Sequence, residues 1–221
     1  ESNLSDLIAS WENDLPAYLK LAYLPAAGMV RLRLTGKGVK DLEQEMNVRI
    51  DKLKELIAPY LFGYDDDKIQ LVVGKLLTKK KKTLAVAESC TGGFLSHLIT
   101  SIPGSSTYFM GGTVCYSNAS KMSQLQVSAQ TLKEYGAVSE AVAVEMAIGA
   151  RKAYNTDFAL STTGIAGPDG GSAEKPIGLV WIGVATENTC FAKKFLLGTN
   201  RQRIIQVAAD TALNMLRKKI N

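Results

Sequence analysis

Leu84-Ala85-Val86-Ala87-Glu88-Ser89-Cys90-Thr91-Gly92-Gly93 runs from an unbroken apolar stretch into a polar turn closed by two glycines, and Phe94, Leu95, Leu98 and Ile99 follow at helical spacing. That order predicts strand, sharp turn and helix. A hydroxyl and a thiol are thereby placed where a helix begins, and the first N–H groups of a helix have no internal partners. Gly92 and Gly93 are poor helix formers, so their presence there predicts a close backbone approach. An anion, or an oxyanion in a transition state, fits both features. The alternative is a tight connection with no chemistry.

Downstream, apolar strands alternate with helical patterns, the signature of an α/β layer domain. Strands are predicted at 84–87, 108–116, 158–162, 179–185 and 190–197. The last two are joined by Thr186-Glu187-Asn188-Thr189, short enough for a hairpin, so the sheet is expected to be mixed. Helices are predicted after the first strand, over 129–134 with Gly136 as a stop, over 140–154 behind Ser139, and over 200–219, where Thr199 and Gln202 have capping-box spacing. If the early strands are parallel, the loops 88–93, 117–121 and 163–171 meet at one sheet edge, where open α/β sheets bind ligands.

Upstream, residues 1–17 read as an amphipathic helix and linker. Val30, Leu32 and Leu34 alternate with Arg31 and Arg33, and Val39, Leu42, Met46, Ile50, Leu53 and Ile57 recur at helical spacing. Tyr60 to Tyr64 reads as a strand, and Asp65-Asp66-Asp67 as the cap of a helix carrying Ile69, Val72, Val73, Leu76 and Leu77. A small α+β domain is therefore expected over 18–66, and a three-layer α/β/α domain with a mixed sheet over 67–221.

The chain has 221 residues, 46% of them hydrophobic, and a net charge of +5, enough for a full core in more than one domain. The charge divides into +2 over residues 1–82 and +3 beyond, so nucleic-acid binding is not demanded. The run Lys79 to Lys82 reads as a solvated junction. No apolar run approaches a membrane span and no signal peptide is apparent, so no membrane partner and a cytoplasmic location are expected. Three widely spaced cysteines, Cys90, Cys115 and Cys190, argue for a reducing compartment and lack metal-ligand spacing, so no metal is expected.

A single histidine constrains the chemistry. His97 follows Ser89 by eight residues, about 12 Å of helical rise, and cannot serve it in a Ser-His-Asp triad. A nucleophilic Ser89 therefore needs another proton acceptor. Lys121, in Tyr116-Ser117-Asn118-Ala119-Ser120-Lys121, is a candidate, since burial can lower a lysine's pKa and Ser-Lys pairs recur in acyl transfer. Cys90 is the rival nucleophile. The loop Thr163-Gly164-Ile165-Ala166-Gly167-Pro168-Asp169-Gly170-Gly171 is rich enough in glycine to crowd backbone N–H groups around an anion. Arg201 and Arg203 open the final helix, where the helix dipole disfavours a cation unless an anion holds it.

Together, Ala87-Glu88-Ser89-Cys90-Thr91-Gly92-Gly93, Tyr116-Ser117-Asn118 with Lys121, Gly136-Ala137-Val138-Ser139 and Thr163-Gly164-Ile165-Ala166-Gly167-Pro168 resemble the nicotinamide-nucleotide amidase domain of the CinA family, over residues 70–221. Leu21-Ala22-Tyr23-Leu24-Pro25 and Val30-Arg31-Leu32-Arg33-Leu34-Thr35 resemble the middle domain of the family's long form. The resemblance implies a further N-terminal domain, similar to molybdopterin-binding proteins, ahead of residue 1. It implies hydrolysis of the carboxamide of nicotinamide mononucleotide without a cofactor, with Ser89 as nucleophile and Tyr116 and Lys121 as activating and proton-transferring groups. Thr91, Gly92, Gly93, Asn118, Thr163, Gly164, Ala166, Gly167 and Arg203 would bind substrate, Arg203 near the phosphate. A pyridine nucleotide is the implied small-molecule partner, and a homo-oligomer, a dimer, the expected assembly. The alternative function is a catalytically silent nucleotide-binding regulatory module.

Overall fold

The computed structural model describes residues 2–220. Helix α1 (Ser2–Asn13) precedes an antiparallel hairpin of β1 (Leu19–Ala26) and β2 (Met29–Gly36), and helix α2 (Leu42–Ile57) follows. Period-two alternation puts Leu21, Tyr23, Leu32 and Leu34 on one hairpin face, where they pack with Ile8, Trp11, Leu53 and Ile57. The expected amphipathic helix forms as α1, and it packs within the unit that holds the hairpin. A two-stranded sheet cannot bury its apolar face alone, and α1 supplies part of the cover: Ile8 is fully buried, and Trp11 Nε1 donates to Arg49 O at 3.0 Å.

These elements make the first of two units, Glu1–Phe62 and Gly63–Asn221. The strand predicted at 60–64 does not form, because Tyr60 N and Leu61 N turn back to Ile57 O. Nor does the aspartate run cap the next helix. Asp67 Oδ2 accepts instead from Tyr64 N at 3.2 Å, and α3 (Ile69–Lys80) begins behind Lys68 without a side-chain cap.

The second unit continues with β3 (Leu84–Glu88), α4 (Phe94–Thr100), β4 (Phe109–Val114), α5 (Asn118–Leu125), α6 (Ala129–Tyr135) and α7 (Glu140–Ala153). It ends with β5 (Phe158–Gly164), β6 (Leu179–Ala185), β7 (Cys190–Leu196) and α8 (Arg201–Ile220). The sheet order is β4-β3-β5-β6-β7. The first three strands are parallel, and β6 and β7 run antiparallel through the expected hairpin, so the sheet is mixed. Interior strand β3 is buried at every residue, which is why it reads as a continuous apolar run. Helix α7 packs Val142, Met146, Ala147 and Ala150 against Ala85, Ala87 and Ala159, while α3, α4 and α8 pack together. The expected three-layer α/β/α architecture results. Helix α8 starts one residue later than its predicted capping box requires, and Asn200 Oδ1 accepts from Arg203 N at 3.0 Å in place of Thr199. In the lysine run, Lys82 Nζ pairs with Asp157 Oδ1 at 2.7 Å, beside the start of β3.

Candidate active site

Ser89 N donates to Thr162 O at 2.9 Å, which prolongs the β3–β5 pairing by one residue and fixes the serine backbone to the sheet. Beyond it, Gly92 (φ +59°) and Gly93 (φ +99°) close the turn in the left-handed region that favours glycine. The amides at the start of α4 do not face a ligand. Gly93 N, Leu95 N and Ser96 N donate at 3.0, 3.0 and 2.8 Å to the carboxylate of Glu88, so the anion at this helix end is the protein's own. Thr91 is buried, its hydroxyl 2.7 Å from Glu88 Oε2 and 2.7 Å from Thr162 Oγ1. Thr91, Gly92 and Gly93, expected to bind substrate, thus build the turn.

Lys121 comes to Ser89 from an element read in the sequence as loop. Ser117 caps α5, with Ser120 completing a reciprocal capping box, and the first helical turn carries the lysine inward. Lys121 is 1% exposed, and its Nζ lies 3.0 Å from Ser89 Oγ and donates to Cys115 O at 2.7 Å. Burial pushes its pKa below the ordinary lysine value of 10.5. Burial raises the neighbouring Cys90 thiol to about 12, so at neutral pH it is protonated and a poor nucleophile. His97 is exposed on α4, its ring 6.1 Å from that of Phe94.

Ser89, Cys90 and Lys121 lie in a cleft of about 200 Å³. Thr163, Gly164 and Ala166 form a second wall, and Ala137 and Val138 a third. Thr163 Oγ1 donates to Ala137 O at 2.7 Å, which ties the two walls together. Tyr116 and Arg201 also line the cleft. Tyr116 is 62% exposed, and its hydroxyl accepts from Arg201 Nη2 at 3.3 Å. Arg201 Nη1 donates to Gly167 O at 2.6 Å.

Sequence reasoning placed Ser89, Tyr116, Lys121, Thr163, Gly164 and Ala166 in the site, and the fold brings these together. Asn118 and Arg203 are exposed and absent from the cleft wall, and Gly167 is absent from it too, its carbonyl accepting from Arg201. At the start of α8 it is Arg201, not Arg203, that lines the cleft. Glu88 holds the turn that carries Ser89, and Ala137 and Val138 line the cleft, although no role had been read for any of them. The signal for the last two was the segment Gly136 to Ser139.

A larger, more open concavity of about 470 Å³ runs along α2, lined by Asp41, Glu43, Gln44 and Asp51 among others. Its carboxylates have no hydroxyl, thiol or amine partner among the lining residues, whereas the smaller cleft pairs a serine hydroxyl with a buried amine, so the smaller cleft is the candidate site. Among the described residues, no His, Cys, Asp and Glu side chains form a group of three or more able to hold a metal ion, and no helix is long and apolar enough to cross a membrane.

Fold and cleft define an α/β/α domain with a serine–lysine pair at the carboxyl edge of a mixed sheet. The family whose sequence model is described as "CinA C-terminal domain" matches residues 66–220, and the chain belongs to the CinA family. It is 45% identical over 222 residues to a CinA-like protein of Cytophaga hutchinsonii, covering 100% of this chain and 53% of that protein. A CinA-like protein of Amoebophilus asiaticus is 46% identical over 225 residues, with the same coverage. The chain therefore spans about half the length of these curated relatives. Among solved structures, the competence/damage inducible protein CihA from Agrobacterium tumefaciens superposes with a TM-score of 0.67 at 39% identity, covering 71% of this chain and 96% of that one. A CinA superfamily protein from Escherichia coli superposes with a TM-score of 0.65 at 30% identity, covering 73% and 98%.

Proposed function

We propose that the chain is a serine amidohydrolase that converts nicotinamide mononucleotide and water to the nicotinate nucleotide and ammonia. The observation that carries this reading is the 3.0 Å approach of Ser89 Oγ to the buried amine of Lys121. A neutral lysine turns its lone pair to the serine hydroxyl and takes its proton as Oγ attacks the carboxamide carbon. The tetrahedral intermediate then collapses. Its C–N bond breaks, the proton on Lys121 passes to the departing nitrogen, and ammonia leaves an acyl-serine. A water molecule, deprotonated by the same amine, hydrolyses that ester and regenerates Ser89.

At about 200 Å³, the cleft is smaller than the roughly 300–1,000 Å³ of sites that enclose a drug-sized ligand. It suits an aromatic amide ring, with the ribose and phosphate at the mouth. Arg201 supplies the cation there for a phosphate. Tyr116, bonded to Arg201, acts in this reading as an orienting group, with Lys121 alone as the base.

The test is ammonia release from nicotinamide mononucleotide by the purified chain in the presence of EDTA. Turnover by the parent, with none from Ser89→Ala and activity retained by Cys90→Ala, is the expected result. Saturable nucleotide binding with no ammonia would replace the enzyme by a regulatory binding module.

A further inference from the structure

Glu88, the residue immediately before the nucleophile, is fully buried, and none of the ion pairs among the described residues involves it. A buried carboxylate is tolerated only when its oxygens are fully bonded. Here five donors converge on it. Oε2 accepts from Thr91 Oγ1 at 2.7 Å and from Gly93 N and Leu95 N at 3.0 Å each. Oε1 accepts from Ser96 N at 2.8 Å and Ser96 Oγ at 2.6 Å. The end of β3 and the first turn of α4 are therefore gathered onto one side chain, and the intervening Ser89 to Gly92 must loop out. Thr91 Oγ1 also contacts Thr162 Oγ1 on β5, which stops that loop from rotating.

We infer that Glu88 is a positioning residue for Ser89, holding the nucleophile's turn at the geometry that Lys121 requires without itself touching substrate. The inference rests on Ser89 being the nucleophile. A displacement of about 1 Å in reacting groups costs on the order of 100-fold in rate, so a turn built on two left-handed glycines has reason to be clamped. The clamp has a cost: it consumes the α4 amides, so the oxyanion of the tetrahedral intermediate must find its donors elsewhere.

The experiment measures kcat and KM for nicotinamide mononucleotide, the Kd of nicotinate mononucleotide by calorimetry, and the rate of Ser89 sulfonylation by phenylmethylsulfonyl fluoride. The variants are Glu88→Gln, Thr91→Val, Ser96→Ala and Ser89→Ala. A glutamine points an amide donor at groups that already donate, so Glu88→Gln is expected to lose about 30-fold or more in kcat, with a parallel loss in sulfonylation and with KM and Kd within about twofold. Thr91→Val and Ser96→Ala, which keep the carboxylate and remove one donor each, should show the same kcat-only loss to a smaller degree. If Glu88→Gln does not fold, these two decide. Parent-like kcat in Glu88→Gln, or in both Thr91→Val and Ser96→Ala, overturns the positioning role, as does a loss carried by KM and Kd. A fully active Ser89→Ala overturns the underlying serine reading instead.

Discussion

In the proposed reaction Lys121 has to be uncharged to take a proton from Ser89, and its surroundings favour that state: burial disfavours the ammonium, and the contacts around its nitrogen are a hydroxyl and a carbonyl, neither of which neutralises a positive charge. Activity should therefore rise with pH along an acid limb whose midpoint lies below the ordinary lysine value of 10.5; a pH profile of kcat/KM reads it. Lys121→Arg keeps a charge that cannot be given up and should be as inactive as Lys121→Met. The same lowered pKa makes a stability prediction. Between the folded pKa and 10.5 the unfolded chain binds more protons, so stability rises with pH across that window, and below it the folded protein carries the full cost of the buried amine. Lys121→Met should accordingly be more stable at pH 7, by about 0.5–2 kcal/mol, in urea titration, with the gain shrinking toward pH 10.5. At the cleft mouth, Arg201→Ala should raise KM by about 10- to 150-fold by removing a charged contact worth about 1.5–3 kcal/mol, while Arg203→Ala stays within twofold; steady-state kinetics of the pair separate them.

At the scale of elements, the segment after β4 shows how a capping residue decides a site. Read as loop, 117–121 leaves its lysine solvated; as the start of α5 behind Ser117, it aims the lysine inward. The hairpin of the first unit depends similarly on one polar contact. Tyr23, whose ring packs in the core of that unit, donates to Glu12 Oε2 at 2.6 Å and so ties β1 to α1. Burial, that bond and the nearby carboxylate raise the phenol to about 12. Because the folded pKa lies above the ordinary value of 10.0, the contribution is intact below pH 10 and is lost as pH climbs toward 12. Tyr23→Phe is expected to cost about 0.5–1.5 kcal/mol at pH 7, and to abolish that alkaline loss, as followed by denaturant unfolding of the first unit and by phenolate absorbance.

For the whole molecule, the division into Glu1–Phe62 and Gly63–Asn221 leaves every residue of the cleft wall in the second unit. A chain of residues 63–221 should therefore keep the parent kcat within about twofold, since its sheet, both helical layers and the Ser89–Lys121 pair are contained in it. Purification of that fragment and the ammonia assay test this, and a large loss of turnover would show that the first unit contributes to the site.

Much of this protein was legible in the residues alone. Continuous apolar strands gave the α/β layer, the short link at 186–189 gave the antiparallel hairpin, and a single unreachable histidine excluded a triad before any geometry was known. These are local or compositional properties, and they survive folding because periodicity and ligand inventory do not depend on what packs where. The sequence pointed to the turn at Ser89 but misassigned its amides to a ligand; only the fold revealed that Glu88 fills that place. Likewise, Arg201 rather than Arg203 lines the cleft, and what the expected amphipathic helix α1 packs against, the hairpin and α2, emerges only from the fold. Each of these outcomes depends on burial and direction, which arise when elements distant in sequence meet: a charge can be recognised as buried, and a side chain as convergent, only after the surfaces that surround it have packed.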